Sequence, residues 1–464
     1  MRKGISQFAD AMYPGIPLRA MPHPPLAVVL AGVLFATLGT PPAIGQTNTP
    51  APIAGKTGPA EEKPKRFALG VELRWRTEWR DNADLRPVND SDGFTGQRIR
   101  INLRARLHPR FSFFMQGQDV WLFDAKSDKV IHDLNTNLHQ AYFDWGLDSE
   151  ARWEFRGGRQ EWIYGEERLV GAFNWDNVGR SFDGARLRYR RGAWTNDFLW
   201  GRQVDVPRNG ARSRAAGQDL SGAYLMRSSK GSPGKVELYA LFLRDGLRTS
   251  GEIAGAPKGT MRILTLGFRR AYEPKTGWRY SVENAWQAGK RGPDGHRAVA
   301  FVATTGYAWG GRWKPRLGIE YDFATGDNAS KDGRSREFNN LFPTNHPFYG
   351  YADLIGLRNM HDFRGTAAVS LHPRVQLEFD YHHFLLASPR GPWKDARGRL
   401  LGLDPAGLSG RDIGQELDFT FRLPVQQHLH LLGGYSLFLP GRFAERTRGP
   451  EPHRFAYIQT TVRF

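Results

Sequence analysis

The chain has 464 residues, no cysteine, 65 Lys and Arg against 47 Asp and Glu, and a formal net charge of +18. Disulfide frameworks, thiolate zinc sites and cysteine nucleophiles are excluded. So is a polytopic helical membrane protein, given a mean hydropathy of −0.53; a transmembrane barrel stays open, because its strands are only half apolar.

Of the 65 basic residues, 51 are Arg. The guanidinium is a permanently charged fork that grips carboxylates or phosphates two-pronged, so charge alone admits nucleic acid, an acidic polymer or an internal salt-bridge lattice.

The N-terminus carries one long apolar run, residues 26–39, preceded by Arg2, Lys3 and Arg19 and followed by Pro41, Pro42 and the small-residue site Ala43-Ile44-Gly45. At 14 residues it is short for a membrane span, and its flanks predict a secretory signal peptide over 1–45. Residues 46–66 are rich in Pro, Ala and charge without periodicity, and read as a flexible leader. A secreted destination removes nucleic acid from the partners that charge admits.

From Phe67 onward the apolar residues alternate. In 97–108, Ile99, Ile101, Leu103, Ala105 and Leu107 interleave with Arg98, Arg100, Asn102, Arg104 and Arg106. A helix would scatter these around its circumference, whereas a strand sends successive side chains to opposite faces. The same parity sets Leu69, Val71, Leu73 and Trp75 against Glu72, Arg74 and Arg76, and Ala185, Leu187 and Tyr189 against Arg186, Arg188 and Arg190. It recurs around 316–323 and 374–381. Alternation and Gly/Pro/Asn/Asp punctuation predict about eighteen strands, starting near residues 68, 97, 111, 137, 152, 182, 194, 220, 235, 262, 278, 297, 313, 362, 374, 413, 428 and 455. Strands of ~11 residues tilted by ~40° span roughly the height of an outer-membrane apolar band.

An all-β transmembrane antiparallel barrel over 67–464, in a bacterial outer membrane, is therefore the expected fold. Trp75, Trp79, Trp121, Tyr142, Trp153, Trp278, Trp286 and Trp309 are candidates for interfacial girdles. The last strand places Ala456, Ile458, Thr460, Val462 and the terminal Phe464 outward. A closing Phe of this kind resembles the signal read by the barrel assembly machinery.

Three stretches carry a more specific resemblance. They are GGRQEWIYGEERLVG with WDNVGRSFDGARL over 157–187, YDFATGDNASKDG with FNNLFPTNHPFYGYADL within 320–359, and GQELD with LLGGYSLFLPGRF within 412–443. In this order they resemble the alginate export family of outer-membrane barrels. The resemblance implies a single-chain barrel whose arginine-lined lumen guides a polyuronate out of the periplasm, together with periplasmic secretion partners. Because each uronate brings one carboxylate, many guanidinium forks offer repeated, individually modest binding steps.

By parity the expected lumen path comprises Arg74, Arg76, Arg98, Arg100, Arg104, Arg106, Arg156, Arg186, Arg188 and Arg190, with Arg159 from the motif and the carboxylate Asp183. The competing role for each Arg is to brace the wall against Asp183, Glu154, Glu320, Asp322, Glu378 or Glu416. No cofactor or metal is expected. The calcium-like run from Asn328 to Asn339 lacks the closing Glu and carries Lys331, Arg334 and Arg336, which reads as an ordinary turn. Residues 325–361 lack alternation and either cap the mouth or fold into the lumen.

Two other functions remain compatible with the sequence: a general porin for small acidic or hydrophobic solutes, and an outer-membrane enzyme using His382 or His383 with Ser370 or Ser388.

Overall fold

A computed structural model describes residues 66–464 apart from 84, 86–90, 125–133, 147–151, 207–213, 230, 252–256, 330 and 373. The expected signal peptide and nearly all of the leader lie outside the described residues. In chain order the long strands are β1 (Phe67–Asp81), β2 (Asp92–His108), β3 (Phe111–Phe123), β4 (Leu134–Trp145), β5 (Trp153–Gln160) and β6 (Phe182–Arg191). They continue as β7 (Trp194–Asp205), β8 (Arg214–Ser228), β9 (Gly234–Thr249), β10 (Gly259–Tyr272), β11 (Gly277–Arg291) and β12 (Asp294–Ala308). The series ends with β13 (Arg316–Ala324), β14 (Met360–His372), β15 (Val375–Leu386), β16 (Asp412–Pro424), β17 (Leu429–Pro440) and β18 (His453–Arg463). Each pairs antiparallel with the next, and β18 pairs back onto β1.

The result is a closed barrel without a free edge, the one sheet form whose backbone groups are all satisfied in lipid. All eighteen predicted starts fall within six residues of an observed one. Period two is responsible, because a one-residue slip would carry the inward charged side chains to the lipid face.

The seam is finished by the last residue. Phe464 exchanges backbone hydrogen bonds with Val71, donating at 2.9 Å and accepting at 3.1 Å. Connections at the end holding β1's start and β18's finish are two to seven residues long. The opposite end carries the long loops 161–181, 325–359 and 387–411, which makes it the extracellular end. Outside, Trp121, Trp153, Trp278, Trp286 and Trp309 are exposed as girdle residues require. Tyr142 corrects that expectation: a bulge in the β3–β4 pairing between Gln116 and Gly117 shifts the parity of β4, and the ring is buried inside.

Deleting Phe464 should cut heat-modifiable barrel in the outer membrane several-fold, whereas removing residues 46–60, which precede β1, should leave it near wild type. Equal levels of the two shortened proteins on semi-native gels would contradict this account of closure.

Candidate functional site: the arginine-lined lumen and its crosspiece

The even positions of β1 and β2 point inward, so Glu72, Arg74, Arg76, Glu78, Arg98 and Arg100 are buried together. Burying charge is costly without partners, and the partners here come in an unequal ratio. Glu72 accepts from both Arg98 (2.7 Å) and Arg463 (2.9 Å), and Glu78 from Arg76 and Arg80 (both 2.6 Å). Glu154 likewise holds Arg186 (2.7 Å) and Arg190 (2.8 Å), while Glu378 meets Arg316 and, at 3.7 Å, Arg422. Each such clamp satisfies the carboxylate and leaves one positive charge over.

The remaining donors of this wall hold a loop. Arg74 donates to the Asn174 carbonyl (2.7 Å), the Asp176 carbonyl (3.1 Å) and Asn177 Oδ1 (2.6 Å). Arg76 donates to the Trp175 carbonyl (2.5 Å), and its guanidinium lies 4.0 Å from the centre of the Trp175 ring. Arg98 reaches the Asn174 and Asp176 carbonyls at 3.3 Å. Arg100 donates to Gln118 Oε1, Asn174 Oδ1 and the Val178 carbonyl. Loop 161–181 is thus drawn onto the inner wall through its backbone oxygens. Gly96 makes room for it, since a Cβ there would sit 2.3 Å from the Asn177 amide.

The opposite wall is acidic. Glu320, Asp322, Asp362, Asp380, Glu416 and Asp418 face inward from β13 to β16, all but Glu320 being buried to 1% exposure or less. Here loop 325–359 offers backbone N–H groups instead: Tyr351 donates to Asp418 (3.3 Å) and Ala352 to Glu416 (2.8 Å). Gly350, at φ +83°, allows this approach, for a Cβ would lie 2.5 Å from the Glu416 carboxylate. Arg168, from the first loop, ends on Glu320 (2.8 Å) and Asp322 (3.4 Å).

The two loops meet between the walls. Trp175 stacks on His346 with ring centres 3.7 Å apart, Gly171 donates to the Phe342 carbonyl, and Thr344 donates to the Glu167 carboxylate. Together they form a crosspiece over the lumen from β1 and β2 to β16. Burial works to raise the Glu166 carboxyl, but Arg168 and Arg269 outweigh it and bring it to about 2. Burial lowers the Arg180 guanidinium to about 10, while its donated bonds go to the Gly171, Phe342 and Pro343 carbonyls.

Of the expected path residues, Arg74, Arg76, Arg98 and Arg100 are drawn together under the crosspiece. Arg156 is bidentate on Asp144 (2.6 and 3.1 Å), and Arg188 is bidentate on Asp197 (2.6 and 2.7 Å). Arg104 and Arg106 are exposed in the periplasmic half, Arg104 lying 5.1 Å over the Phe114 ring; neither has an ion pair among the described residues.

Arg159 and Asp183 are corrected. They pair with each other at 2.6 and 2.8 Å on the outer face, because both sit at odd positions of strands whose inward residues are even. Arg168, Trp175, Asp362, Asp380, His382 and Asp418 were missing from the expected set. Arg168 and Trp175 lie inside the quoted motifs, whereas the acidic residues had only their parity to mark them.

The two histidines fall on opposite faces, His382 against Asp362 (2.8 Å) inside and His383 against Asp412 (3.2 Å) outside. Ser388 donates to the Asp327 carbonyl. Among the described residues, no serine pairs with His382 or His383.

A family model described as "Alginate export" matches residues 65–457. No curated protein matches the chain. Solved structures share its fold at low identity: OccAB4 of Acinetobacter baumannii at 10%, covering 87% of this chain and 100% of that one with a TM-score of 0.58. Pseudomonas aeruginosa OccK8 (OprE) stands at 11%, 86%, 98% and 0.56 by the same measures. P. aeruginosa OccK2 (OpdF), solved with glucuronate, stands at 12%, 86%, 95% and 0.55.

Replacing Arg74 by Met keeps the length of the side chain but strips three hydrogen bonds to the loop, each worth roughly 1.5–3 kcal/mol when the donor is charged. The variant barrel should remain heat-modifiable, while trypsin cuts at Arg168 or Arg180 at least tenfold faster and single-channel current becomes larger and noisier. Wild-type protease resistance and conductance would show that Arg74 does not hold the crosspiece.

Proposed function

The chain belongs to the alginate export family and is an outer-membrane channel; from that premise we propose that its cargo is a polyuronate or a smaller uronate-like anion. The supporting observation is the positive charge left over at the clamps and at the periplasmic half, away from the acidic wall. Two-to-one clamps at Glu72, Glu78, Glu154 and Glu378 each retain a positive charge, and Arg104 and Arg106 add two more at the periplasmic half.

A carboxylated solute entering from the periplasm meets Arg104, Arg106 and the Phe114 ring before it reaches the crosspiece. There a guanidinium can take the carboxylate while the aromatic face takes the sugar's C–H surface. Binding at these two arginines displaces no wall carboxylate, so cargo can be released as readily as it is held. Arg74, Arg76, Arg98 and Arg100 play a different part, holding the loop that decides whether the path is open.

The crosspiece also favours a second reading, passage of small uronates only, because a polymer needs loops 161–181 and 325–359 to part. The glucuronate complex of the similarly folded OccK2 is consistent with it.

Reversal potentials in planar bilayers under a salt gradient test the proposal. The wild-type pore should prefer anions, with a preference that fades as the Debye length falls from ~10 Å at 0.1 M salt to ~3 Å at 1 M. Arg104→Gln with Arg106→Gln should lose a large part of that preference and weaken block by oligouronates several-fold. Cation selectivity of the wild type, or an unchanged double variant, would overturn the anion path. Block by monouronate but not by longer oligomers would favour the small-solute reading.

A further inference from the structure

The outer face carries a row of charges that the lumen does not explain. At the extracellular end, outward residues of successive strands lie directly opposite one another: Arg159 and Asp183, Asp183 and Arg202, Arg202 and Asp219, Asp219 and Arg244, Arg244 and Arg262, Arg262 and Lys290. The row begins neutralised. Arg159 is bidentate on Asp183, and Arg202 on Asp219 at 2.5 and 2.9 Å. From β9 onward the acids stop. Arg244, Arg262 and Lys290 are exposed cross-strand neighbours with no ion pair or hydrogen bond from their side chains among the described residues, and Arg297 on β12 follows on the next diagonal.

Directly opposed side chains stand ~5 Å apart, and like charges in that relation repel. Elsewhere on the extracellular rim of the outer face, Arg454 is matched by Asp81 and His383 by Asp412. Immediately toward the periplasm the same outward rows turn apolar, through Phe242, Leu264, Leu266 and Trp286, each 40–49% exposed. The patch therefore sits where the acyl region meets the headgroups of the outer leaflet, and among the described residues the one acid opposite it, Asp219 across from Arg244, is already held by Arg202.

We propose that Arg244, Arg262 and Lys290, with Arg297 beside them, form a binding site for the phosphorylated headgroup of the outer leaflet's glycolipid, lipid A. Its phosphates would bridge the three adjacent cations while its acyl chains lie along Phe242, Leu264 and Trp286. Guanidinium forks suit phosphate oxygens in a two-pronged geometry, and a lipid phosphate brings the apolar tail that the rows below can cover. Such a site needs no divalent cation to bridge lipid and protein, since the protein supplies the positive charge itself.

The test uses the full chain in detergent micelles with EDTA present, reading the temperature at which the folded band converts on semi-native gels and lipid retention by native mass spectrometry. Bisphosphorylated lipid A should raise the conversion temperature by several degrees and remain bound. Dephosphorylated lipid A, and inorganic phosphate at the same phosphate concentration, should each give less than half the shift. Arg244→Gln with Arg262→Gln and Lys290→Gln should lose most of the response; the same change at Arg270, outward at the periplasmic end of β10, should not.

Without lipid the triple variant should convert at or above the wild-type temperature, because mutual repulsion is gone. Equal shifts with and without the lipid phosphates, full reproduction by inorganic phosphate, or an undiminished response in the triple variant would each overturn the site. If that variant fails to fold, the comparison of the two lipids on wild-type protein decides alone.

Discussion

Everything inside this barrel depends on a match between backbone polarity and wall charge. A peptide segment crossing a lumen carries N–H and C=O groups that lose water on both sides and must find partners. The arginine wall of β1 and β2 supplies donors, and loop 161–181 turns its carbonyls toward it. The carboxylate wall of β16 supplies acceptors, and loop 325–359 turns its amides there. Had both walls carried one sign, one of the two loops would present the wrong half of its peptide groups. The polarised lumen is thus a structural requirement of the crosspiece before it is anything to a solute.

That requirement separates two populations of arginine that composition cannot tell apart. A guanidinium has five N–H donors in a fixed fork, enough to satisfy a carboxylate and a loop carbonyl together. Arg76 does this with Glu78 and Trp175, and Arg98 with Glu72 and Asn174. Such residues are rigid, and replacing one opens a local defect. Arg104 and Arg106 keep their donors exposed and are available to something that passes. The abundance of Arg over Lys follows from the first population, since a compact ammonium offers three donors without the planar fork that spans two acceptors.

The barrel was legible because its signal repeats. Each strand restates the alternation of its neighbour, and antiparallel closure forces all of them into one phase. Where the phase breaks, reading by parity fails for a physical reason: the bulge opposite Gln116 moves Tyr142 indoors. Arg159 differs for another reason: a motif and not the alternation points it to the lumen, while the odd positions of Arg159 and its partner Asp183 put both outside. The crosspiece had no such signal. Loops 161–181 and 325–359 hold no period, and the meeting of Trp175 with His346 joins residues 171 positions apart. Only the finished barrel brings them together.

The same register logic governs the outer face. In the lumen a surplus cation can be shared by a loop carbonyl or a second acid, because the interior is crowded with acceptors. On the lipid face a charge is met by its cross-strand neighbour or by the membrane. Arg159 and Arg202 have such neighbours; Arg244 faces an Asp219 already held by Arg202, and beyond it Arg244, Arg262 and Lys290 face one another. A register that is locked from within by inward residues such as Ile263, Thr265 and Gln287, all buried to 3% exposure or less, cannot slide to relieve them. The repulsion is therefore fixed into the wall by the interior that positions it, where the phosphates of the leaflet outside can relieve it.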